Sequence, residues 1–384
     1  MSEEVKKEEA KTEEPKTEEP KKIERLMSLD ALRGADMLFI MGFASWIVVL
    51  CALLPKCGLT EWFSTQMSLV GWHGLRHHDT IFPLFLFMAG VSFPFSLTKQ
   101  QEQGRAPWRI YLKIVIRGLL LVLLGLTYNG MLQFELSKLR YASVLARIGL
   151  AWMFAALLFT RIRKTSILAS VAAVILVGYW LAMWLIPGGD DPFSFENNLV
   201  GTIDRFFISS EHLYNKTFDP EGLFSTIPAI VTAMLGMFAG QLVRSTKISG
   251  NKKALYLLLA GVAFALIGWL WGMVFPINKK LWTSTFVCAV GGYSLICFAI
   301  FYYIIDVKGW RRWSFFFRVI GMNSITIYMM QRIVDCSRIN RFFFGGVIKW
   351  FEGDWNKLAW HTFYILTCWL ILFFFYKKKI FLKV

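Results

Sequence analysis

From residue 37 onward the chain alternates long apolar runs with short polar connections. Ten runs approach the roughly 20 residues that an α-helix needs to cross a hydrocarbon layer. They lie at 37–54, 81–97, 114–132, 141–160, 166–186, 223–243, 254–275, 281–305, 314–330 and 358–376, with Arg318 and Asn323 interrupting the ninth. The pattern predicts an all-α, polytopic transmembrane bundle of about ten helices. Residues 1–25 read differently: they hold nine Glu, six Lys and one Arg, repeat KTEEP at 11–15 and 16–20, and are broken by Pro15 and Pro20. Such a segment cannot bury apolar surface, which predicts a disordered, charged cytoplasmic tail ahead of one membrane domain over 26–384. It is not a signal peptide, because no apolar stretch directly follows a short basic one.

Composition sharpens this. Hydrophobic residues make up 56% of the 384 positions and charged residues 18%, with a mean hydropathy of +0.49. Soluble domains sit near about 45–50% apolar, so an ordinary water-soluble enzyme is excluded. The net charge of +16 does not point to nucleic acid, because the bases fall in short clusters between apolar runs rather than on one face. Their placement gives an orientation instead. With the N-terminus inside, the inner connections carry 18 Lys and Arg in 47 residues, and the outer ones 13 in 102. Both termini are therefore expected to be cytoplasmic, and all five histidines fall at the outer side.

Three of those histidines stand within WHGLRHHDTIFPLFLFMAG at 72–90. His73, His77, His78 and Asp79 are placed where an outer loop enters a membrane helix. Imidazoles there can exchange protons near neutral pH, and a carboxylate can orient one of them. The competing reading is structural, with Asp79 as helix N-cap and Pro83 in the first turns. His73 and His77 stand at i, i+4, but no fourth ligand suggests a metal, and none is expected.

At the inner side, Arg33 lies beside Asp30 and Asp36, either as a solvated ion cluster or, with Lys113 and Arg117, as donors to a phosphorylated cofactor. Arg147, about two turns into the fourth run, and Asn323, in the ninth, are intramembrane polar groups that need interior partners. The connection 187–222 carries seven acids and is long enough to cover an outer cavity. It ends at Asp219-Pro220-Glu221, which reads as a helix start. GMFAG at 236–240 reads as a close helix contact. The six cysteines are scattered, and the spacing supports no bridge between Cys57 and Cys336, both placed outside.

Seven segments in order, LMSLDALRG (26–34), the 72–90 segment, RYASVLARIGLAW (140–152), FDPEGLFSTIPAIV (218–231), PINKKLWTS (276–284), IIDVKGW (304–310) and IGMNSITIYM (320–329), resemble the heparan-α-glucosaminide N-acetyltransferase family, in particular its bacterial members. The resemblance covers nearly everything after residue 26. It implies a multi-pass acetyltransferase of a bacterial inner membrane that uses acetyl-CoA from the cytoplasm and acetylates a sugar or glycan acceptor outside. On it, His73 is the base, oriented by Asp79, with His77 or His78 as alternates. Arg33 and Arg117 contact CoA, and Asn323 lines the cavity. Two positions depart from the family's pattern. Leu69 stands where its catalytic histidine precedes the Trp by three residues, and Ala44 stands near an asparagine of its first helix. A homodimer is left open. The rival reading is a transporter or flippase of a sugar or lipid-linked intermediate, although no internal repeat of the kind common in transporters is visible.

Overall fold

The computed structural model describes residues 26–186, 191–214 and 216–382. The tail expected at 1–25 lies outside the described residues. Those described are helical, and nine helices among them are long and apolar enough to cross a membrane: Met27–Leu53, His77–Glu102, Pro107–Tyr128, Val144–Arg161, Thr165–Leu185, Thr226–Arg244, Gly250–Trp271, Ser284–Val307 and Gly353–Lys377.

The first of these is two helices in one. α1 (Met27–Leu38) and α2 (Ala44–Leu53) are joined by a widened turn at Phe39–Phe43, in which Gly42 takes φ 113°. A side chain would be strained there, so this glycine permits the kink. A short helix, α3 (Gly58–Gln66), and a loop lead to α4 (His77–Glu102). α5 (Pro107–Tyr128) starts on a proline, whose missing N–H costs nothing at a helix start. α6 (Val144–Arg161) is capped by Ser143, which accepts from Ala146 N–H at 3.1 Å. α7 (Thr165–Leu185) is followed, after the long connection, by α8 (Leu199–Phe207) and α9 (Thr226–Arg244). α10 (Gly250–Trp271) and α11 (Ser284–Phe301, extended to Val307 by a wide turn) form an antiparallel pair.

The ninth apolar run does not make one helix. It breaks at Met322–Asn323 into α12 (Phe315–Gly321) and α13 (Ser324–Ile333), and α14 (Cys336–Ile348) follows before the last long helix, α15 (Gly353–Lys377). The three pieces together make the tenth crossing. Phe315 lies against Tyr376 near the end of α15, Gln331 reaches Tyr364, and Phe344 stacks on Phe363. α15 in turn runs antiparallel to α2, with Trp46 Nε1 donating to Thr362 Oγ1 at 2.9 Å. The start of α1 and the end of α15 therefore share one end of the bundle, which also carries Lys99, Arg105, Arg161 and Lys377. It is called the basic end below, and the other the histidine end.

α4 and α9 sit at the centre, and α5, α7, α10 and α15 ring them with apolar faces outward. Backbone touches backbone at several crossings. A Cβ on Gly236 would lie 2.0 Å from the Phe87 carbonyl oxygen and one on Gly240 2.3 Å from that of Val91, so the GMFAG segment is a contact surface between α9 and α4. Likewise α1 meets α12 where a Cβ on Gly34 would lie 1.8 Å from Phe317 O.

Candidate active site

α4 begins at His77, four residues earlier than the apolar pattern indicated, so both histidines belong to its first turn. Asp79 is then the third helical residue rather than the N-cap. Its Oδ2 accepts the N–H groups of Arg76 and Val70, each at 3.2 Å, and its Oδ1 pairs with Lys279 Nζ at 3.4 Å. The carboxylate is buried and fully engaged. It closes the loop 70–76 onto the helix and does not orient His73, which corrects the pairing read from the sequence.

His73 turns instead to Asn278, with 3.3 Å between its Nδ1 and the amide Nδ2. The Oδ1 of Asn278 already accepts Leu281 N–H at 2.9 Å, so its amide nitrogen must donate. Nδ1 of His73 therefore accepts, and the ring is neutral with its proton on Nε2. Burial also holds this imidazole below its ordinary value, against the pull of Asp191. Such a ring can donate from Nε2 but has no free lone pair with which to act as a base. Next to it, Trp72 is held under the long connection, with Nε1 donating to Phe193 O at 2.9 Å and its ring against Phe195 and Phe218.

His77 and His78 are the opposite case. The Nδ1 atoms of both are buried without a hydrogen-bond partner. The His77 ring lies between Phe39, at 4.5 Å, and Tyr293, at 6.1 Å between centroids. Its backbone N–H donates to Gln66 Oε1 at 2.9 Å, which fixes the start of the helix. The kink at Gly42 brings Phe39 to this position. His212 is a structural residue by contrast, with Nδ1 on Leu139 O at 2.8 Å and Nε2 on Tyr141 Oη at 3.2 Å.

Toward the basic end, the interior holds more polar atoms without partners: Asp36 Oδ2, both polar atoms of the Asn323 side chain, Thr326 Oγ1, and the Nε atoms of Arg117 and Arg318. Asn323 is buried at the break between α12 and α13. Arg117 lies over Trp152, 4.3 Å from ring centroid, and close enough to Arg33 for their charges to interact. Arg33 donates to Met88 O at 3.1 Å and to Ser92 Oγ, with Asp30 at 3.8 Å. A small cavity of about 40 Å³ bounded by Met37, Ile81, Phe85, Ile148, Ser324 and Tyr328 is apolar, and none of these partnerless groups lines it. Buried polar atoms in a membrane interior normally find partners, so each of these atoms is a place where water or a polar ligand would complete a hydrogen bond. His77 and Ser92 are separated by 15 residues of α4, about 22 Å. Asp36, Asn278, Lys279 and Tyr293 were not singled out from the sequence as site residues. Asn278 and Lys279 stand in PINKKLWTS, where that segment was the available signal.

The long connection carries a second polar cluster. Arg140 pairs with Asp219 and Glu221, and Asp219 also accepts Glu221 N–H at 2.9 Å and Tyr214 N–H at 3.0 Å. Asp219 is thus an anchor for a turn and not the cap of α9, which starts seven residues later at Thr226. Burial opposes the Arg140 charge, but the two carboxylates outweigh it and raise its pKa. Arg147, in the first turn of α6, is buried, donates to Ser225 Oγ and lies over Trp282 at 4.9 Å from ring centroid, while its Nε and Nη1 have no hydrogen-bond partner. Burial lifts the Asp204 carboxyl to about 6. The six cysteines are free, and Cys336 packs in a buried cluster with Cys368 of α15 rather than lying outside.

These features define a class: a multi-pass helical membrane protein with imidazoles at one end, guanidinium groups at the other and partnerless buried polar groups between. The family model for the catalytic region of heparan-alpha-glucosaminide N-acetyltransferase matches residues 25–271, and the chain belongs to that family. It is 28% identical over 420 residues to the human heparan-alpha-glucosaminide N-acetyltransferase, covering 94% of this chain and 60% of that protein. The mouse protein of the same name is 27% identical over 406 residues, covering 89% and 60%. The chain thus spans about 60% of the length of these relatives.

Proposed function

We propose that the protein is a transmembrane acetyltransferase of a bacterial cytoplasmic membrane. It takes acetyl-CoA at the basic end and acetylates an amino group of a sugar or glycan at the histidine end. The observation that carries this reading is the set of partnerless buried polar atoms, with Arg117 Nε, Asp36 and Asn323 toward the basic end and His77 Nδ1 at the other. Arg33 and Arg117 would hold CoA phosphates, and Asn323 and Asp36 would line the path of the CoA arm.

His77 is the base in this reading, in place of His73. The acceptor amine attacks the thioester carbonyl, the new C–N bond forms, and His77 takes the amine proton. The tetrahedral oxyanion collapses, the C–S bond breaks, and the proton passes from His77 to the leaving thiolate. The products are the amide and free CoA. The Nε2–H of His73 is suited to donate to the oxyanion. Leu69, where the family's pattern has histidine, is consistent with the base having moved to another position.

The test uses purified full-length protein in proteoliposomes with acetyl-CoA and glucosamine. His77→Ala is expected to lower acetyl transfer by about 10²–10⁴-fold, the usual weight of a general base, with CoA binding retained. Equal activity in His77→Ala and wild type would remove His77 from the chemistry. Sugar uptake without any CoA requirement would overturn the enzyme in favour of a transporter.

A further inference from the structure

A separate cavity of about 680 Å³ opens at the basic end between the start of α5 and the start of α7, floored by the ends of α4, α6 and α9. Three guanidinium groups come to it from three connections: Arg105, Arg163 and Arg244. No acidic residue lines it, and none of the three forms an ion pair among the described residues. Thr98, Gln101, Thr160 and Gln241 add neutral hydrogen-bonding groups. Basic residues are ordinary at such membrane ends, but they are usually dispersed in the headgroup layer. Here they converge on one recess with no anion of the protein's own.

The recess is distinct from the Arg33 site. Pro94, Leu97, Thr98 and Gln101 of α4 face it, whereas Arg33 docks on Met88 and Ser92. At about 100° per residue, Pro94 lies about 200° round the helix from Ser92. Leu97, Ile110, Phe159 and Leu168 add apolar side chains to a lining that is otherwise mostly polar. The flanking helices turn Leu112 and Ile116 of α5 and Ile167 of α7 outward toward lipid.

We propose that this recess binds the phosphate of an anionic phospholipid, its acyl chains running down between α5 and α7. Phosphate geometry suits a guanidinium fork, and basic recesses between membrane helices on the cytoplasmic side are known to select acidic headgroups. The exposed apolar side chains of α5 and α7 beside the recess offer a path for acyl chains, which a soluble nucleotide does not use. The lipid therefore fits better.

The experiment is native mass spectrometry of the full chain in detergent, titrated with palmitoyl-oleoyl phosphatidylglycerol and, separately, the phosphatidylcholine of the same chains. At about fivefold per guanidinium, wild type is expected to prefer phosphatidylglycerol by about a hundredfold. Joint replacement by Arg105→Gln, Arg163→Gln and Arg244→Gln should reduce that to near parity, and the corresponding three Lys substitutions should keep most of it. If the triple Gln protein does not fold, Arg163→Gln alone should cost about fivefold. A Gln protein that keeps the full preference overturns the proposal. So does displacement of the phosphatidylglycerol by free CoA, which would make the recess part of a nucleotide site.

Discussion

Two regions of this molecule handle buried polar groups differently. Around the long connection, Arg140, Asp219 and Glu221 are paired, and so are Asp79 and Lys279 a short way off, although Arg147 beside them keeps two guanidinium nitrogens without a partner. Toward the basic end, Asp36, Asn323 and Arg117 each keep at least one buried atom with no partner. Paired groups explain themselves as structure. Unpaired ones cost free energy in the resting protein, and that cost is accounted for if a ligand completes them.

This contrast can be broken by mutation. Arg140→Ala leaves Asp219 buried beneath the long connection with its charge uncompensated, and should destabilise the protein by about 3–5 kcal/mol. A lowered thermal midpoint in detergent measures it, and an unchanged midpoint would mean the cluster is not structural. Asp36→Asn and Asn323→Leu should do the reverse, changing stability by no more than about 1 kcal/mol because they remove no hydrogen bond. Both should reduce acetyl transfer by about tenfold or more, in line with a loss of one contact to a charged or polar ligand. A stability loss without a kinetic effect would move these two residues into the structural group.

The pH dependence sharpens the comparison at smaller scale. Asp204 ionises near 3.8 when unfolded and at about 6 when folded. Between these values the folded state binds more protons, so stability falls as pH rises through that window and then levels off. Asp204→Asn should remove that slope in a series of thermal melts. His73 acts oppositely. Its folded value lies below the ordinary 6.5, so the unfolded chain takes up a proton first and stability is lost as pH drops below 6.5. His73→Gln should flatten the acid side of the same curve.

Much of the helical layout was legible in the sequence because apolar length and glycine spacing are local signals. Nine runs correspond to helices of membrane-spanning length, the first of them kinked at Gly42, and the tight α4–α9 contact was visible in GMFAG. Asn323 and Arg318 marked the broken crossing, but not that α14 would be needed to complete it. The site was only half legible. The histidine cluster stood out by composition, and its location at the end of one helix could be read. Its internal partners could not: His73 meets a residue 205 positions away, and Asp79 finds its cation in the same distant segment. A carboxylate close to a histidine in sequence suggested a pair, yet the helix start turned it toward backbone N–H groups instead. Asp36 was noticed only as a neighbour of Arg33, since one residue's lack of partners becomes visible only when every neighbour is placed.

The interlock between α1 and α12 bears on what can be made as a working fragment. Gly34 and Gly321 fit into each other's backbones, and Ser28 binds Asp306, so the first helix is seated by chain that arrives some 280 residues later. An expression product stopped at residue 271, where the family match ends, would leave that seat empty and one face of α1 bare. Inward-facing backbone there has no side chain to shield it, and a truncated gene is expected to yield a chain that quality-control proteases remove.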